Sequence, residues 1–361
     1  MSHEENLKPA GIKEIASALG ISIGTVDRAL HNRSGVSAKT REKILKTAEK
    51  FRYTPNLAAR NLKLNRRIKV GVFLPQEVSS FFDALRTGIR TAQAETGAAA
   101  DLSFISYPRL GEGDIEAMEK AHWSKFDGII VAPGNPATLT SISEIAKQER
   151  KPIVFVATDA PRLHRIASVA VDANISGSVA ADLLGRFIQK PHTVAAVIGD
   201  RRIQDHADKL RGFAASLATF SPHLALLPTI ESHESSKDAY QATLKLIEKN
   251  PDLGGIYIST ANSLPVIRAL EEKRQLGKVQ IIATDLFPEL ISLIENGQVA
   301  ASLYQRPTTQ GKVAFEMLSA YLDKGSIPQT VYRLAPHIVF RSNVSLFLGA
   351  TLAAEQASPF V

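Results

Sequence analysis

The N-terminal part of the chain has the apolar spacing of short helices. Ile12, Ile15, Ala16 and Leu19 recur at intervals of three and four residues, which places them on one face of a helix. Gly20 follows them, and glycine commonly takes the left-handed conformation that ends a helix. The pattern therefore predicts a first helix that ends at Gly20.

A second short helix is predicted from about residue 23 to residue 30. Ser22 is suited to cap its N-terminus, and Val26 and Leu30 form its inward face. Gly24 costs about 1 kcal/mol of helix propensity, but it allows the backbone to approach another molecule closely. Two helices joined by a three-residue turn form the helix-turn-helix arrangement, whose second helix enters the major groove of DNA.

A third helix is predicted after Ser37, which is its expected N-cap. The apolar stripe of this helix is expected to consist of Ile44, Leu45, Ala48 and Phe51. Lysine and arginine side chains alternate with the stripe, and they give the helix a basic solvated face. The three helices together predict a small all-α domain of about 50 residues.

From Lys69 onwards the pattern changes to continuous apolar runs of strand length, separated by helical stretches. The runs are KVGVFLP, DLSFISYP, FDGIIVAP, KPIVFVAT, SVAVD, TVAAVIGD, GGIYIST and VQIIATD. Continuous runs indicate strands that are buried on both faces, which is typical of a parallel sheet covered by helices. The number of these units predicts two doubly wound α/β lobes with a ligand cleft at the carboxyl ends of the strands.

The distribution of charge also distinguishes the N-terminal helical region from the rest of the chain. Residues 1–69 carry 15 basic and 6 acidic side chains, a net charge of +9, whereas the whole chain of 361 residues carries only +7. A basic head attracts polyanions such as nucleic acid. The chain has no cysteine, and it shows neither an apolar signal segment nor a run long enough to span a membrane. These features favour a cytoplasmic protein without a membrane partner.

The head resembles the DNA-binding domain of the lac repressor family. The matching elements are EIASALGIS, TVDRAL, VSAKTREKI and YTPNLAARNLK, in the order and spacing of that family. The resemblance implies a homodimer that binds double-stranded operator DNA. The residues that it assigns to DNA contact or to the DNA-facing end of the second helix are Ser22, Ile23, Gly24, Thr25, Asp27, Arg28, His31 and Asn32.

Asp27 departs from the family pattern, which commonly has serine at this position. A carboxylate near phosphates is repelled, so Asp27 is expected either to accept a hydrogen bond from a cytosine amino group or to pair with Arg28. We favour the pairing. The alternative for the whole head is a helical interaction module with a solvated basic face.

The segment YTPNLAARNLK resembles the hinge of the same family. A helix from Asn56 to Lys63 is too short to be stable alone in water. The resemblance implies that it folds in the minor groove when two subunits bind DNA, with Leu62 as a wedge between base pairs, Ala59 beside it and Lys63 in contact with the groove. The alternative is that Leu62 packs on the body as a linker residue.

The body resembles the periplasmic sugar-binding fold, as the core of the lac repressor family does. The resemblance implies a small effector, most simply a sugar or sugar derivative. The residues that it places in the cleft are Phe81, Phe82, Asn135, Asp159, His206, Asn262, Asp285 and Gln305. Two arginines that usually hold ligand hydroxyls are replaced, by Ala160 and Ala207, and His206 is favoured over Arg201 as a substitute.

The predicted boundaries follow from these assignments. They are a helix-turn-helix domain at 1–55, a hinge at 56–69, a first lobe at 70–165 with 287–330, a second lobe at 166–286 with 331–345, and a tail at 346–361. The chain is expected to cross between the lobes near residues 165, 287 and 330.

Other classes of function find less support in the sequence. It contains no phosphate-binding loop, no dinucleotide fingerprint and no nucleophile motif of the GxSxG type, so neither catalytic residues nor a cofactor are expected. Its histidines are scattered, so a metal site is not expected either. The alternatives that stay open are a regulator that responds to a protein partner, and a solute-binding or enzymatic α/β protein with a fused head.

Overall fold

The computed structural model describes residues 12–30, 34–51, 67–325 and 329–347. The chain divides into two compact units, one that holds the head and one that holds most of the core. The described residues include no helix that is both long enough and apolar enough to cross a membrane.

Three helices form the head: α1 (Ile12–Leu19), α2 (Ile23–Leu30) and α3 (Ala38–Lys50). Gly20 has a φ of 62°, as its position at the end of α1 predicts. Among the described residues of the head, the buried apolar cluster consists of Ile15, Ala16, Val26, Ala29, Ile44 and Ala48. Leu45 is 49% exposed, so its assignment to the stripe was wrong. The inward position belongs to Ile44, and the next residue of a helix points about 100° away from it.

The first lobe of the core is a six-stranded sheet in which all neighbouring strands are parallel. In spatial order its strands are β12 (Val331–Leu334), β5 (Ala167–Val171), β4 (Ile153–Val156), β3 (Gly128–Val131), β1 (Ile68–Pro75) and β2 (Ala100–Tyr107). The helices of this lobe are α4 (Ser79–Thr96), α5 (Asp114–Lys120), α6 (Thr140–Gln148) and α12 (Pro307–Lys324).

The second lobe is a seven-stranded sheet. The two strands at one edge are antiparallel to each other, and all other neighbouring strands are parallel. In spatial order these strands are β13 (His337–Val339), β11 (Ala301–Tyr304), β10 (Gln280–Thr284), β9 (Leu253–Ile258), β6 (His192–Ile198) and β7 (Leu224–Leu226), with β8 (Ile230–Glu231) paired to β6. The helices of this lobe are α7 (Ala173–Phe187), α8 (Gln204–Phe220), α9 (Ser236–Lys249), α10 (Leu264–Glu272) and α11 (Pro288–Glu295).

The three crossings between the lobes lie later in the chain than the sequence suggested. The first follows β5, because β5 pairs with β4 and β12 in the first sheet. The second follows β11, which pairs with β10 in the second sheet, and the third lies between β12 and β13. The predicted crossings near 165, 287 and 330 were therefore wrong, and strands β5, β11 and β12 each belong to the other lobe. Strand pairing decides to which lobe a strand belongs, and the apolar runs of the sequence do not reveal this pairing.

Two glycines allow the backbones of α7 and α8 to pack closely, and this packing fixes the position of α8 beside the cleft. A Cβ atom on Gly177 would lie 1.9 Å from the carbonyl oxygen of Lys209, and one on Gly212 would lie 2.0 Å from that of Asn174. Neither contact is possible for a larger residue, since both involve backbone atoms. The close packing therefore also fixes the position of the α8 side chains that line the cleft.

Candidate ligand-binding cleft and DNA-binding head

A cleft opens between the two lobes at the carboxyl ends of their strands. It consists of a cavity of about 610 Å³ and a smaller one of about 60 Å³. Six residues line both cavities, which makes them parts of one cleft: Glu77, Val78, Phe81, Glu234, Ala261 and Asp285. This is the place where doubly wound sheets bind their ligands, since the strand order reverses there.

Aromatic side chains form one part of the cleft wall. Phe81 and Phe82 open α4 and are buried, with ring centroids 5.0 Å apart in an edge-to-face arrangement. Phe81 lines both cavities and Phe82 lines the smaller one, while Phe287 and Tyr304 of the second lobe line the larger one. Flat apolar surfaces of this kind suit the apolar face of a ring-shaped ligand.

A buried polar network forms another part of the wall. Gln305 donates from its backbone N and its Nε2 to the two carboxylate oxygens of Asp285, at 3.0 and 2.6 Å. The Nζ of Lys209 donates to Gln305 Oε1 at 2.9 Å and pairs with Asp205 Oδ2 at 2.7 Å. Lys209 is only 2% exposed. A buried charge of this kind is tolerated because it is paired and hydrogen-bonded.

The pKa of Asp285 is raised to about 6, mainly by burial and to a smaller extent by the nearby carboxylate of Asp205. The hydrogen bonds from Gln305 and the charge of Lys209 act in the opposite direction. Desolvation prevails because the side chain has almost no contact with water. Asp285 therefore titrates within the range in which a ligand or a pH change affects its charge.

His206 and Glu234 meet at the smaller cavity. The Nδ1 of His206 accepts a hydrogen bond from the backbone N of Asp200 at 2.9 Å, so the neutral ring carries its proton on Nε2. That atom lies 3.8 Å from Glu234 Oε1. Asn262 donates from Nδ2 to the carbonyl oxygen of Glu234 at 3.0 Å. These contacts orient three polar side chains around one corner of the cleft.

Two hydrogen bonds connect the lobes across the cleft. The backbone N of Asp205 donates to Thr158 Oγ1 at 3.2 Å, and Arg109 donates to the carbonyl oxygen of His233 at 3.3 Å. Thr158 and Arg109 belong to the first lobe, and their partners belong to the second. The cleft is thus bridged on the side of the smaller cavity.

Six of the eight predicted ligand residues line the cleft. They are Phe81, Phe82, His206, Asn262, Asp285 and Gln305. Asn135 and Asp159 line neither cavity. Asn135 instead closes its own turn, since its Oδ1 accepts from the backbone N of Ala137 at 3.1 Å. Arg201, the alternative to His206, pairs with Glu231 at 2.6 Å and lines neither cavity.

Asp159 is an internal anchor of the first lobe. It pairs with Arg165 and with Arg333, each at 2.7 Å, and accepts from Ser168 Oγ at 2.9 Å. Burial by itself would raise the pKa of Asp159, but the two arginines and Ser168 hold it below its usual value. Asp159 lines neither cavity, and residues on or next to the neighbouring strands β5 and β12 supply the partners of its carboxylate. Its assignment to the ligand stays a prediction that this environment does not support.

Sequence reasoning missed several cleft residues, among them Asp205, Lys209, Glu234, Phe287 and Tyr304. Asp205 and Lys209 are four residues apart on α8, which is the spacing of a helical ion pair. That signal was available, but such pairs are usually exposed. Glu234 follows a short strand and has no motif around it, so only the fold brings it to the cleft.

A second cluster lies beside this corner. Among the described residues, Asp200, Glu231 and His233 bring one potential metal-ligand atom each to within 4.8 Å of one another. The scatter of histidines along the sequence gave no sign of this cluster. Both carboxylates are ion-paired, Asp200 with Arg202 at 2.5 Å and Glu231 with Arg201 at 2.6 Å. These arginines already supply the positive charge that a metal ion would bring.

The N-terminal end of α2, which is predicted to contact DNA, is exposed in the head. Ser22, Ile23, Gly24 and Arg28 are exposed, and Ile23 retains 50% of its accessible surface. Ser22 Oγ accepts from the backbone N of Thr25 at 3.1 Å, so its role as the N-cap is confirmed. His31 and Asn32 lie outside the described residues, as do the hinge positions Asn56, Ala59, Leu62 and Lys63.

Gly24 has no internal reason to be glycine. Among the described residues, a Cβ atom at this position would meet only Ser22 Oγ, at 3.9 Å, and residue 24 does not belong to the residues with positive φ. Neither packing within the head nor the backbone conformation therefore demands a glycine. The remaining physical reason is an approach from outside the head, which agrees with a surface that contacts another molecule.

Comparison with protein families assigns both parts of the chain. Residues 70–326, more than half of the chain, match the periplasmic binding protein domain. Residues 11–56 match the bacterial regulatory proteins of the lacI family. The two matches cover the core and the head.

Several characterised regulators are similar to this chain over nearly their whole length. Catabolite control protein A of Priestia megaterium is 24% identical over 337 residues, which cover 92% of this chain and 98% of that protein. The ribose operon repressor of Bacillus subtilis (strain 168) is 24% identical over 330 residues, which cover 90% and 95%. Both alignments extend over the head and the core of this chain.

Solved structures of sugar-binding proteins share the fold of the core. GanP, a glucose-galactose binding protein from Geobacillus stearothermophilus, superposes with a TM-score of 0.70 at 24% identity and covers 77% of this chain and 99% of its own. A solute binding protein from Agrobacterium vitis, bound with α-D-tagatopyranose, gives 0.72 at 19% identity and covers 77% and 96%. With its helix-turn-helix head and two-lobed core, the chain belongs to the lacI family of bacterial regulatory proteins and is a DNA-binding transcription regulator with a periplasmic binding protein domain.

Proposed function

We propose that this chain is a homodimeric repressor whose affinity for operator DNA is controlled by a sugar or sugar derivative in the interlobe cleft. The observation that carries the proposal is the composition of the cleft, whose wall combines aromatic rings with carboxylates and amides. A carbohydrate ring has apolar faces and an edge of hydroxyl groups, and it needs both kinds of partner in a largely dry site. The sugar-binding proteins that share the fold support this ligand class.

The proposed DNA surface is the N-terminal part of α2 together with the hinge. Ile23 is placed against a thymine methyl group, and Arg28 meets a phosphate or a base edge. A second subunit supplies the twin helix for the other half-site, because operator symmetry mirrors protein symmetry. Leu62 of each hinge opens the minor groove. We also propose that the protein acts in the cytoplasm, where chromosomal DNA is accessible, and that it is not an enzyme.

The experiment uses the full-length purified protein and an operator found by genomic footprinting. Fluorescence anisotropy measures operator affinity with and without each member of a sugar panel. We expect one sugar to change the affinity by about 5-fold to 150-fold, since allosteric coupling is typically about 1–3 kcal/mol. A protein that binds operator but responds to no sugar would contradict the proposed effector class.

Two variants locate the response. Asp285→Ala removes the centre of the cleft network, and we expect it to lose the sugar response while operator binding without sugar persists. Asn135→Ala is the matched control, because Asn135 ends a strand of the first lobe but lines neither cavity. Loss of the response in both variants would point to damage of the fold instead of the ligand site.

A further inference from the structure

The wall of the cleft is rich in acid. The larger cavity is lined by five carboxylates, and none of its lining residues in the described chain is Lys, Arg or His. The carboxylates belong to Glu77, Asp83, Glu234, Asp285 and Glu289. Asp83 is paired with Arg86 at 2.8 Å. The other four carboxylates give the lining a negative charge, which raises the local concentration of cations and lowers that of anions.

The basic side chains of the smaller cavity do not offset this charge. Lys209 directs its ammonium group to Asp205 (2.7 Å), Gln305 (2.9 Å) and the carbonyl oxygen of Ser259 (3.3 Å). An ammonium group has three donors, so Lys209 keeps none for a ligand. Arg109 pairs with Glu112 at 3.0 Å and also bridges to the other lobe. The ammonium group of Lys209 is thus fully committed to protein acceptors, whereas the hydroxyl groups of Ser259 and Ser263, which line the two cavities, have no hydrogen-bond partner among the described residues.

Two carboxylate oxygens at the smaller cavity lack a donor within the described residues. Glu234 is 9% exposed in its side chain, and its Oε2 accepts from Thr260 at 2.7 Å. The other oxygen, Oε1, lies 3.8 Å from His206 Nε2, which exceeds hydrogen-bonding distance. Asp205 is also 9% exposed in its side chain, and its Oδ1 is buried without a partner. A buried acceptor without a donor, such as Asp205 Oδ1, destabilises a site until a donor arrives.

The backbone holds Glu234 in this place at a conformational cost. His233 and Glu234 have φ angles of 48° and 55°, in a region that residues with a side chain rarely adopt. A Cβ atom on Gly199 would lie 2.2 Å from Glu234 Oε1, so the glycine makes room for this oxygen. Strain that persists in a folded protein tends to cluster at functional sites, and here it positions a carboxylate.

We propose that the cleft selects a positively charged, amine-bearing carbohydrate, with its ammonium group at Glu234, over neutral and anionic sugars. This inference rests on the proposed function and specifies its ligand class. An ammonium group brings three donors and no acceptor, which matches a corner that offers acceptor oxygens. A phosphate or carboxylate on the ligand would instead meet the carboxylates of Glu234 and Asp285 and be repelled.

Titration calorimetry on the full-length protein tests the selection with matched sets of sugars. Each set contains a hexosamine, its N-acetyl derivative, the parent hexose and the corresponding uronate, for the gluco, galacto and manno configurations. We expect a hexosamine to bind at least about tenfold more tightly than the other members of its set, because charge-assisted hydrogen bonds are about twice as strong as neutral ones. The uronate should bind most weakly.

The variant Glu234→Gln keeps the shape of the side chain but removes its charge. We expect it to lose the preference for the amine over the parent hexose, while Glu231→Gln, which alters a carboxylate outside the cleft lining, should retain it. If Glu234→Gln fails to fold, the salt dependence of the wild-type protein serves instead. Binding of the amine should then weaken with rising ionic strength more than binding of the parent hexose.

The outcomes separate the two proposals. Equal or tighter binding of a neutral or anionic sugar overturns the amine selection but leaves a sugar-controlled regulator in place. Failure of every sugar to bind, together with an unchanged operator affinity, overturns both. Amine preference that survives in Glu234→Gln also overturns the assignment of the ammonium group to Glu234.

Discussion

The same three letters, Ala-Thr-Asp, end a strand in each lobe, and the two aspartates have opposite surroundings. Residues 157–159 follow β4 in the first lobe, and residues 283–285 close β10 in the second. Asp159 pairs with two arginines and holds the first lobe together. Asp285 lies on the cleft wall and shares its oxygens with Gln305. The sequence motif at a strand end therefore does not predict the role of its carboxylate.

The neighbouring strands make the difference. Arg165 precedes β5 and Arg333 lies on β12, and both strands extend the sheet beside β4. Asp285 has β11 beside it instead, and that strand leads to Gln305, a neutral donor. A carboxylate with cationic neighbours becomes a structural ion pair, whereas one with amide neighbours keeps a hydrogen-bonding edge for a ligand. The comparison also explains why the pKa of Asp159 is lowered while that of Asp285 is raised.

The largest effect is expected from Asp159→Ala. The change leaves Arg165 and Arg333 without their carboxylate, and Arg165 has only 15% of its side chain exposed. Breaking a buried pair by removing one partner costs about 3–5 kcal/mol, and we expect about 3 kcal/mol because Arg333 is partly solvated. Urea unfolding of the core measures this loss. A loss below about 1 kcal/mol would show that the two arginines find other partners.

The next effect is a pH dependence from Asp285. Its folded pKa of about 6 lies above the unfolded value, so the native state binds the proton more tightly. The stabilisation from this proton is complete at low pH and is lost as pH rises from about 4 to about 6. Asp285→Asn cannot ionise, so its stability relative to the wild-type protein should increase across this window by up to about 3 kcal/mol.

Thermal or urea unfolding of both proteins at pH 4 to 8 measures the difference, and titrations common to the two cancel in it. A relative stability of Asp285→Asn that falls with pH would mean that the charge of Lys209 outweighs burial. The difference between the two aspartates would then disappear, since both would have lowered pKa values.

The smallest effect concerns the backbone of the two loops. The left-handed residue of the first loop is Ala157, with a φ of 69°, whereas in the second loop it is Asp285 itself, with a φ of 64°. Ala157→Gly should stabilise the core by about 0.5–1 kcal/mol, since the left-handed conformation costs alanine about 1–2 kcal/mol and glycine loses more entropy on folding. Urea unfolding tests the change, and a destabilised variant would show that the methyl group packs.

Sequence reasoning anticipated the architecture and much of the cleft. The spacing of Ile12, Ile15 and Ala16 predicted α1, and the continuous apolar runs predicted the parallel sheets, because both signals depend on local periodicity. Strand ends were a sound guide to Asp285 and Asn262. They did not lead to the cleft for Asn135 and Asp159, whose partners come from their own turn and from distant strands.

The sequence by itself determined the helix-turn-helix head, its caps at Ser22 and Ser37, and the α/β character of the core. These depend on interactions between residues a few positions apart, which a linear pattern records. Only the tertiary structure decided which lobe contains β5, β11 and β12, and which charges meet in the cleft. Such features depend on pairing between strands and on burial. Lys209 and Glu234 acquire their roles there, because a charged side chain becomes costly, and therefore informative, only when the fold removes it from water.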